Sequence, residues 1–575
     1  MRRRARDHTT PAFELICFNT QRHAHSTTDR VPITRYSRTK QFSTEKKQSI
    51  GKMSVTTSAI ERNDSGDART YNVTTFGIGP NKTNVPQTSP RKFKSWLTKT
   101  IPAVSEWKQY IGVLICGVTI WGTSWFLFKD VVLPGSFAFH MAGVAIAGYV
   151  CGHTIERYTT VNPVVGMTLT GALYRNFGPT SYLDDPIANI IDFHLRRIYP
   201  VIILTKGPLT WNWDYIKNNS IKVFSLATIP WIVECSSMVF FSHLLLDFPW
   251  YWGLHLGAIL SSVSPAVVVP TVNALSARGL GTKRQIAQLV GNAGGLDTAF
   301  TEGTFGIINS AIFYPAMLPY RIIKAVLAIF VGIALGILWG ILIDYIPDHS
   351  DAYAPTIRSL LILFGGLLIS YGGAFLGWGG TSGVAIMVCA GTAATRWSRR
   401  GWAINNNPVA EVYKLLWRIF EPMLFTYSGY FLEISQVSGK EICLMLACII
   451  SALILRLVTA FLIGICNKMS IRESLFIAIT WIPKAIVEAV LVRVAADSLW
   501  QDATSSDKQI ASQHSNIIVI AILITSTLGS ALTTSLGPVL LSQSKVTPEE
   551  FYRTQTLSPT ASAYSVKEKS SSLEL

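Results

Sequence analysis

The chain has 575 residues, 49% of them hydrophobic and only 15% charged, with a net charge of +16. Soluble globular domains carry about 25% charged residues, so these proportions argue against a soluble enzyme or a nucleic-acid-binding domain. Apolar runs fill the region from about residue 109 to 541, and a bilayer core about 30 Å thick needs roughly 20 such residues per helix.

Residues 1–105 read as a disordered basic cytoplasmic tail, with Arg2, Arg3, Arg4, Arg6, Lys46 and Lys47 set among Ser and Thr. Their Arg-rich start also fits a mitochondrial presequence, the lesser reading. Residues 106–541 read as a transmembrane domain, and 542–575 as a polar cytoplasmic C-terminal tail. Run lengths and breaks divide the middle into about fourteen spans. Their limits are 109–128, 131–151, 161–177, 189–205, 221–246, 250–274, 284–313, 320–345, 356–376, 378–396, 411–433, 441–466, 471–495 and 514–541. The third and fourth are marginal, the fourth because it contains Arg196 and Arg197.

An even number of spans puts both termini on one side. Loops on that side hold Arg278, Lys283 and Arg284, then Arg396, Arg399 and Arg400, then Lys468 and Arg472. This excess makes both termini cytoplasmic. The eight cysteines include no C-x-x-C pair, so neither a zinc site nor a cofactor is read from them. No nucleophile–base pair or nucleotide loop points to an enzyme.

The sixth span carries Ser264-Pro265 and Pro270, and the thirteenth carries Trp481-Ile482-Pro483-Lys484. Proline removes a backbone donor and clashes with the preceding turn, so both spans should be broken there. An offset of seven spans makes them cross in opposite directions, as an inverted repeat requires. Paired broken helices of this kind point to a transporter's binding site.

Charge inside a membrane is expensive and survives where it is paired or functional. Within the spans stand Glu234, Asp297, Glu302, Arg418, Glu421, Arg456, Lys484 and Glu488. Asp297, after the small residues Gly291-Asn292-Ala293-Gly294-Gly295, is the principal ion or proton candidate. Arg456 must find an acid, Lys484 stands at a helix break, and Glu234 is to partner whichever base Asp297 leaves. Structural ion pairs remain the alternative for each. Arg418, Glu421 and Glu488 are read as pairs across neighbouring helices.

The segments Ser262–Pro270, Gly291–Thr298, Trp417-Arg418-Ile419-Phe420-Glu421-Pro422, Trp481–Ala485, Pro230–Cys235 and the lone Arg456 together resemble the animal NHA-type sodium/proton antiporters. These are the sodium/hydrogen exchanger 9B-like branch of the cation:proton antiporter superfamily. The resemblance covers roughly residues 105–545. It implies an all-α antiporter fold of fourteen-helix protomers, inverted repeats, two crossing broken helices, a homodimer with dimerisation and core subdomains, and elevator-type exchange of sodium or lithium for protons. A plasma-membrane location is expected, with an organelle membrane as the alternative.

The chain departs from that family at one place. Members of this type carry two adjacent acids, and here the second position is Thr298. A hydroxyl still offers oxygen to a cation but exchanges no proton near neutral pH. Glu302, four residues on and near the same helical face, either restores a second carboxylate or pairs with Arg493 or a helix-end lysine. Two other outcomes stay open: proton-coupled chloride symport, and a transport-inactive regulatory homologue.

Overall fold

The computed structural model describes residues 57–62, 68–73 and 104–543, apart from 185, 314–316, 379, 403–406 and 500–502. The chain forms two units, Met1–Ala103 and Val104–Leu575. In the first, Thr57–Arg62 (β1) pairs antiparallel with Ala68–Val73 (β2), with Thr57 opposite Val73 and Glu61 opposite Arg69. Ile60, Thr70, Tyr71 and Val73 are residue types that favour a pleated backbone. The rest of the predicted N-terminal tail, and the C-terminal tail beyond 543, lie outside the described residues.

The second unit is built of helices: Val104–Phe128 (α1), Phe137–Tyr158 (α2), Pro163–Phe177 (α3), Pro186–Lys206 (α4), Trp213–Asn218 (α5) and Ser220–Leu246 (α6). Next come Trp250–Leu260 (α7), Pro265–Ala277 (α8), Ile286–Phe313 (α9), Leu318–Tyr345 (α10), Ala354–Phe375 (α11) and Thr381–Ser398 (α12). Pro408–Tyr430 (α13), Gly439–Cys466 (α14), Ile471–Thr480 (α15), Ile486–Leu491 (α16), Val494–Asp497 (α17) and Ser505–Leu540 (α18) complete it. Seven stretches among the described residues are long and apolar enough to cross a membrane: α2, α6, α7 with α8, α10, α11, α14 and α18. Helices α9, α12 and α13 carry more polar or small residues because they are mostly enclosed by other helices.

Local signals set the helix starts. Asn162 accepts from Val164 N ahead of Pro163, and Asn407 accepts from Val409 N ahead of Pro408; both combine a side-chain cap with a proline whose missing N–H costs nothing in the first turn. Ser438 with Glu441 and Ser470 with Glu473 form reciprocal capping boxes.

Glycine decides where helices touch backbone to backbone. A Cβ on Gly171 would lie 1.8 Å from Thr426 O, and one on Gly429 would lie 2.0 Å from Thr168 O, so α3 and α13 admit no side chain at their crossing. Gly332, Gly336 and Gly340 lay one face of α10 against the Thr381, Ala385 and Cys389 carbonyls of α12 in the same way. Small residues at four-residue spacing are the means by which helices approach closely where lipid gives no hydrophobic drive. The outer surface is apolar: Ile221 is 80% exposed and Leu368 70%, as a bilayer-facing belt requires.

Arg196 and Arg197 make α4 look unfit for a bilayer in sequence, yet both find partners. Arg196 reaches Asp192 at 2.9 Å and also pairs with Asp497, while the Arg197 guanidinium lies 4.6 Å from the Phe193 ring centroid.

Candidate functional site: two broken helices and a buried charge cluster

Helix α7 stops at Leu260 and α8 starts at Pro265, leaving Ser261–Ser264 non-helical; α15 stops at Thr480 and α16 starts at Ile486, leaving Trp481–Ala485 non-helical. The first break therefore precedes Pro265. Pro270, expected to contribute to it, lies instead inside the continuous α8. Pro483 stands in the middle of the second break.

The breaks meet directly, with Ser264 N donating to Pro483 O at 2.8 Å. Around them, backbone groups released from helical bonding find partners, as membrane depth demands. Val263 N and Ser262 Oγ donate to Asp297 Oδ1 at 2.9 and 3.3 Å. Ser261 O accepts from Arg456 Nη1 and Leu260 O from Lys484 Nζ. Lys484 N donates to Thr525 Oγ1 at 3.0 Å, and Ser526 Oγ donates to Lys484 O at 2.7 Å. The charged residues thus serve two tasks, sealing the breaks and neutralising one another.

Four of the residues singled out in sequence converge here, all fully buried. Arg456 on α14 donates from Nη1 to Glu234 Oε2 at 2.5 Å and from Nη2 to Asp297 Oδ2 at 3.0 Å. Lys484 Nζ lies 2.7 Å from Glu234 Oε1. Asp297 therefore takes Arg456, while Glu234, on α6, is shared by both bases. Asp297 uses both oxygens within the protein.

A cavity of about 610 Å³ borders this region. Thr298 lines it, beside Asn292, Trp211, Pro265 and Ile486, whereas Asp297 is absent from its described wall. Successive residues of a helix point about 100° apart, so the acid turns inward to the breaks while the threonine faces the cavity. Thr298 Oγ1 donates to Gly294 O at 3.1 Å, which leaves its lone pairs for the cavity. Gly295 makes room for Trp211: a Cβ there would lie 2.4 Å from Trp211 Nε1. Asn292 Oδ1 accepts from Asn212 N at 3.1 Å, pinning the loop before α5 to the same wall. The lining also holds three cations, Lys206, Lys414 and Arg418, and one acid, Glu421.

Glu302 does not join the cluster. Its carboxyl lies against α12, with Oε2 3.1 Å from where a Cβ on Gly383 would sit, and it has neither hydrogen bond nor ion pair among the described residues. Arg493, the partner considered for it, pairs with Asp497 at 3.3 Å and donates to Asn189 Oδ1 at 2.9 Å. Glu488, expected to pair across helices, is also corrected: it is fully buried, and among the described residues neither carboxylate oxygen has a hydrogen-bond partner.

A second cavity of about 520 Å³ lies among Arg175, Asp184, Asp192, Glu433, Arg493 and Lys508. Sequence reasoning missed it, although Asp192 and Arg196 at i,i+4 spacing were a readable signal.

Comparison with known proteins follows this architecture. The family model "Sodium/hydrogen exchanger, transmembrane" matches residues 141–540. Sodium/hydrogen exchanger 9B2 of Xenopus tropicalis is 29% identical over 443 residues, 75% of this chain and 80% of that protein. Sodium/hydrogen exchanger 9B1 of Homo sapiens is 27% identical over 429 residues, 74% of this chain and 82% of that one. The sodium proton antiporter MjNhaP1 of Methanocaldococcus jannaschii shares the fold, with a TM-score of 0.58 at 19% identity over 70% of this chain and 98% of that structure. A multi-pass helical bundle with two broken helices meeting at buried charge, matched by the family model over most of its length, belongs to the transmembrane sodium/hydrogen exchanger family.

Proposed function

We propose that the chain is a secondary active transporter that exchanges a monovalent cation, sodium or lithium, for protons by elevator-type alternating access. The observation that carries this reading is the direct contact of two interrupted helices beside a fully buried set of acids and bases. Such breaks are where transporters of this architecture handle ions. The names of the relatives and of the structural neighbour given above, sodium/hydrogen exchangers and a sodium proton antiporter, support the same activity.

Thr298 gives the coupling its atypical character. In the conformation described, the cavity offers an incoming cation a hydroxyl and amide oxygens in place of a carboxylate. Asp297 becomes available only when its bond to Arg456 opens. Glu302 is the weaker candidate for the missing acid, since it packs on α12. The inverted repeat relates α6 to α8 with α14 to α16, each containing one long helix followed by a broken one.

We place both termini in the cytoplasm, which makes the larger cavity inward-facing. A plasma membrane and a homodimer are the corresponding proposals for location and assembly.

One observation favours a second reading, proton-coupled chloride movement: three cations against one acid in the lining of the cavity that Thr298 shares. Purified protein in liposomes with an internal pH dye separates the cases. A pH change driven by sodium or lithium supports exchange, and one driven by chloride without either cation supports symport. Silence under both gradients supports a transport-inactive regulatory homologue.

A further inference from the structure

The buried cluster holds three acids, Glu234, Asp297 and Glu488, against two bases, Arg456 and Lys484. Two acids are matched one for one, and the third is left over. Both Glu488 oxygens are enclosed and, among the described residues, without a hydrogen-bond partner. A buried carboxylate in that condition is costly, whereas a neutral carboxyl in the same place is tolerable. The charged groups acting on Glu488 from the surrounding helices are Lys484 at the adjoining break, Glu234 on α6 and Arg456 on α14.

Its position gives the leftover acid a use. Helix α16 begins at Ile486, which lines the larger cavity; Arg493, seven residues later, lines the second. At about 1.5 Å of rise per residue, the six-residue α16 between them is only about 9 Å long. Glu488 sits within it.

We propose that Glu488 carries the transported proton: its carboxyl is protonated when enclosed and gives the proton to vestibule water when α16 is exposed. The carboxylate so formed is countered by Lys484, four residues earlier in the break, or by the cation entering the emptied site. Proton uptake on the return restores the neutral acid, and the four-member ion network need not be dismantled at each turn. This deepens the exchange reading and depends on it only for the direction of the proton.

The test compares wild type, Glu488→Gln and Glu488→Asp, each full-length in liposomes, by two readouts. The first is the sodium- or lithium-driven pH change. The second is pH-difference infrared spectroscopy, reading the carbonyl stretch of a protonated carboxylic acid without any ion gradient. Glu488→Gln keeps the neutral shape, so its thermal stability should match wild type. Its ion-driven pH change should fall about tenfold or more, with partial return in Glu488→Asp. The carboxylic-acid band that titrates in wild type should be missing from Glu488→Gln. Wild-type exchange by Glu488→Gln, or an unchanged infrared band, overturns the proposal. A wild-type protein that is silent in transport but loses the band on substitution leaves the proton site standing and removes the exchange reading alone.

Discussion

Arg456→Met tests how the buried network is held. The guanidinium serves Glu234 at 2.5 Å, Asp297 at 3.0 Å and the Ser261 carbonyl. After its removal Glu234 still has Lys484 at 2.7 Å, but Asp297 keeps only the uncharged donors Val263 N and Ser262 Oγ. Breaking one side of a buried ion pair costs about 3–5 kcal/mol because the other charge is left uncompensated. Adding Asp297→Asn removes that charge while leaving an amide oxygen for the Val263 N–H. What remains is chiefly the unpaired Ser261 carbonyl, about 1–3 kcal/mol for a buried group. The double variant should therefore be more stable than Arg456→Met alone. Thermal unfolding of the detergent-solubilised proteins, followed by loss of the monodisperse gel-filtration peak, measures the order directly. A single variant as stable as wild type, or a double variant less stable than the single, refutes the idea that Asp297 depends on Arg456 for its counter-charge.

Three further outcomes are expected. Thr298→Asp puts a carboxylate on the cavity wall and should tighten sodium dependence of exchange by roughly tenfold, about 1.4 kcal/mol; an unchanged sodium titration would show that this position does not limit the cation. Glu302→Gln should leave transport and stability near wild type, because the carboxyl packs on Gly383 without an ionic partner; abolished exchange in liposomes would restore Glu302 to the site. His514 is fully buried with no hydrogen-bond partner for either ring nitrogen among the described residues, and its ring lies 5.5 Å from Phe248 and 5.0 Å from Trp252, centroid to centroid. His514→Phe should raise the unfolding temperature, since an unsatisfied buried group costs about 1–3 kcal/mol, and a lowered temperature would indicate a polar partner for the imidazole.

The helical class and the two breaks were legible because apolar run length and proline chemistry act locally. Which proline breaks the sixth span was not. Pro265 occupies the first turn of α8, where its missing N–H matters least, and Pro270 is accommodated within the helix that follows. The convergence of Glu234, Asp297, Arg456 and Lys484 was suggested by the cost of charge in a membrane. Their connectivity was not, since it depends on side-chain reach between helices distant in sequence. Glu302 shows the limit of spacing arguments: four residues from Thr298 it shares roughly the same face, yet its carboxyl turns toward the space beside Gly383. Glu488 looked like an ordinary cross-helix partner, and only the enclosed surroundings of its two oxygens distinguish it. The turn of Asp297 away from the cavity and of Thr298 toward it follows from helix rotation, but needs the positions of α7, α8 and Trp211 to be known.

The bonds from Arg456 to Glu234 and Asp297 join residues 222 and 159 positions apart. Chains are made from the N-terminus, so both acids leave the ribosome well before the arginine that will bind them. For that interval the first half of the protein must shelter two carboxyls in lipid or in the insertion machinery with no base to meet them, and neutral, proton-bearing forms are the inexpensive way to do so. Synthesis of α14 and of the break after α15 then supplies the missing cations together with the Pro483 carbonyl that receives Ser264 N. Biogenesis of this protein is in that sense a deferred titration, completed only when its second half arrives.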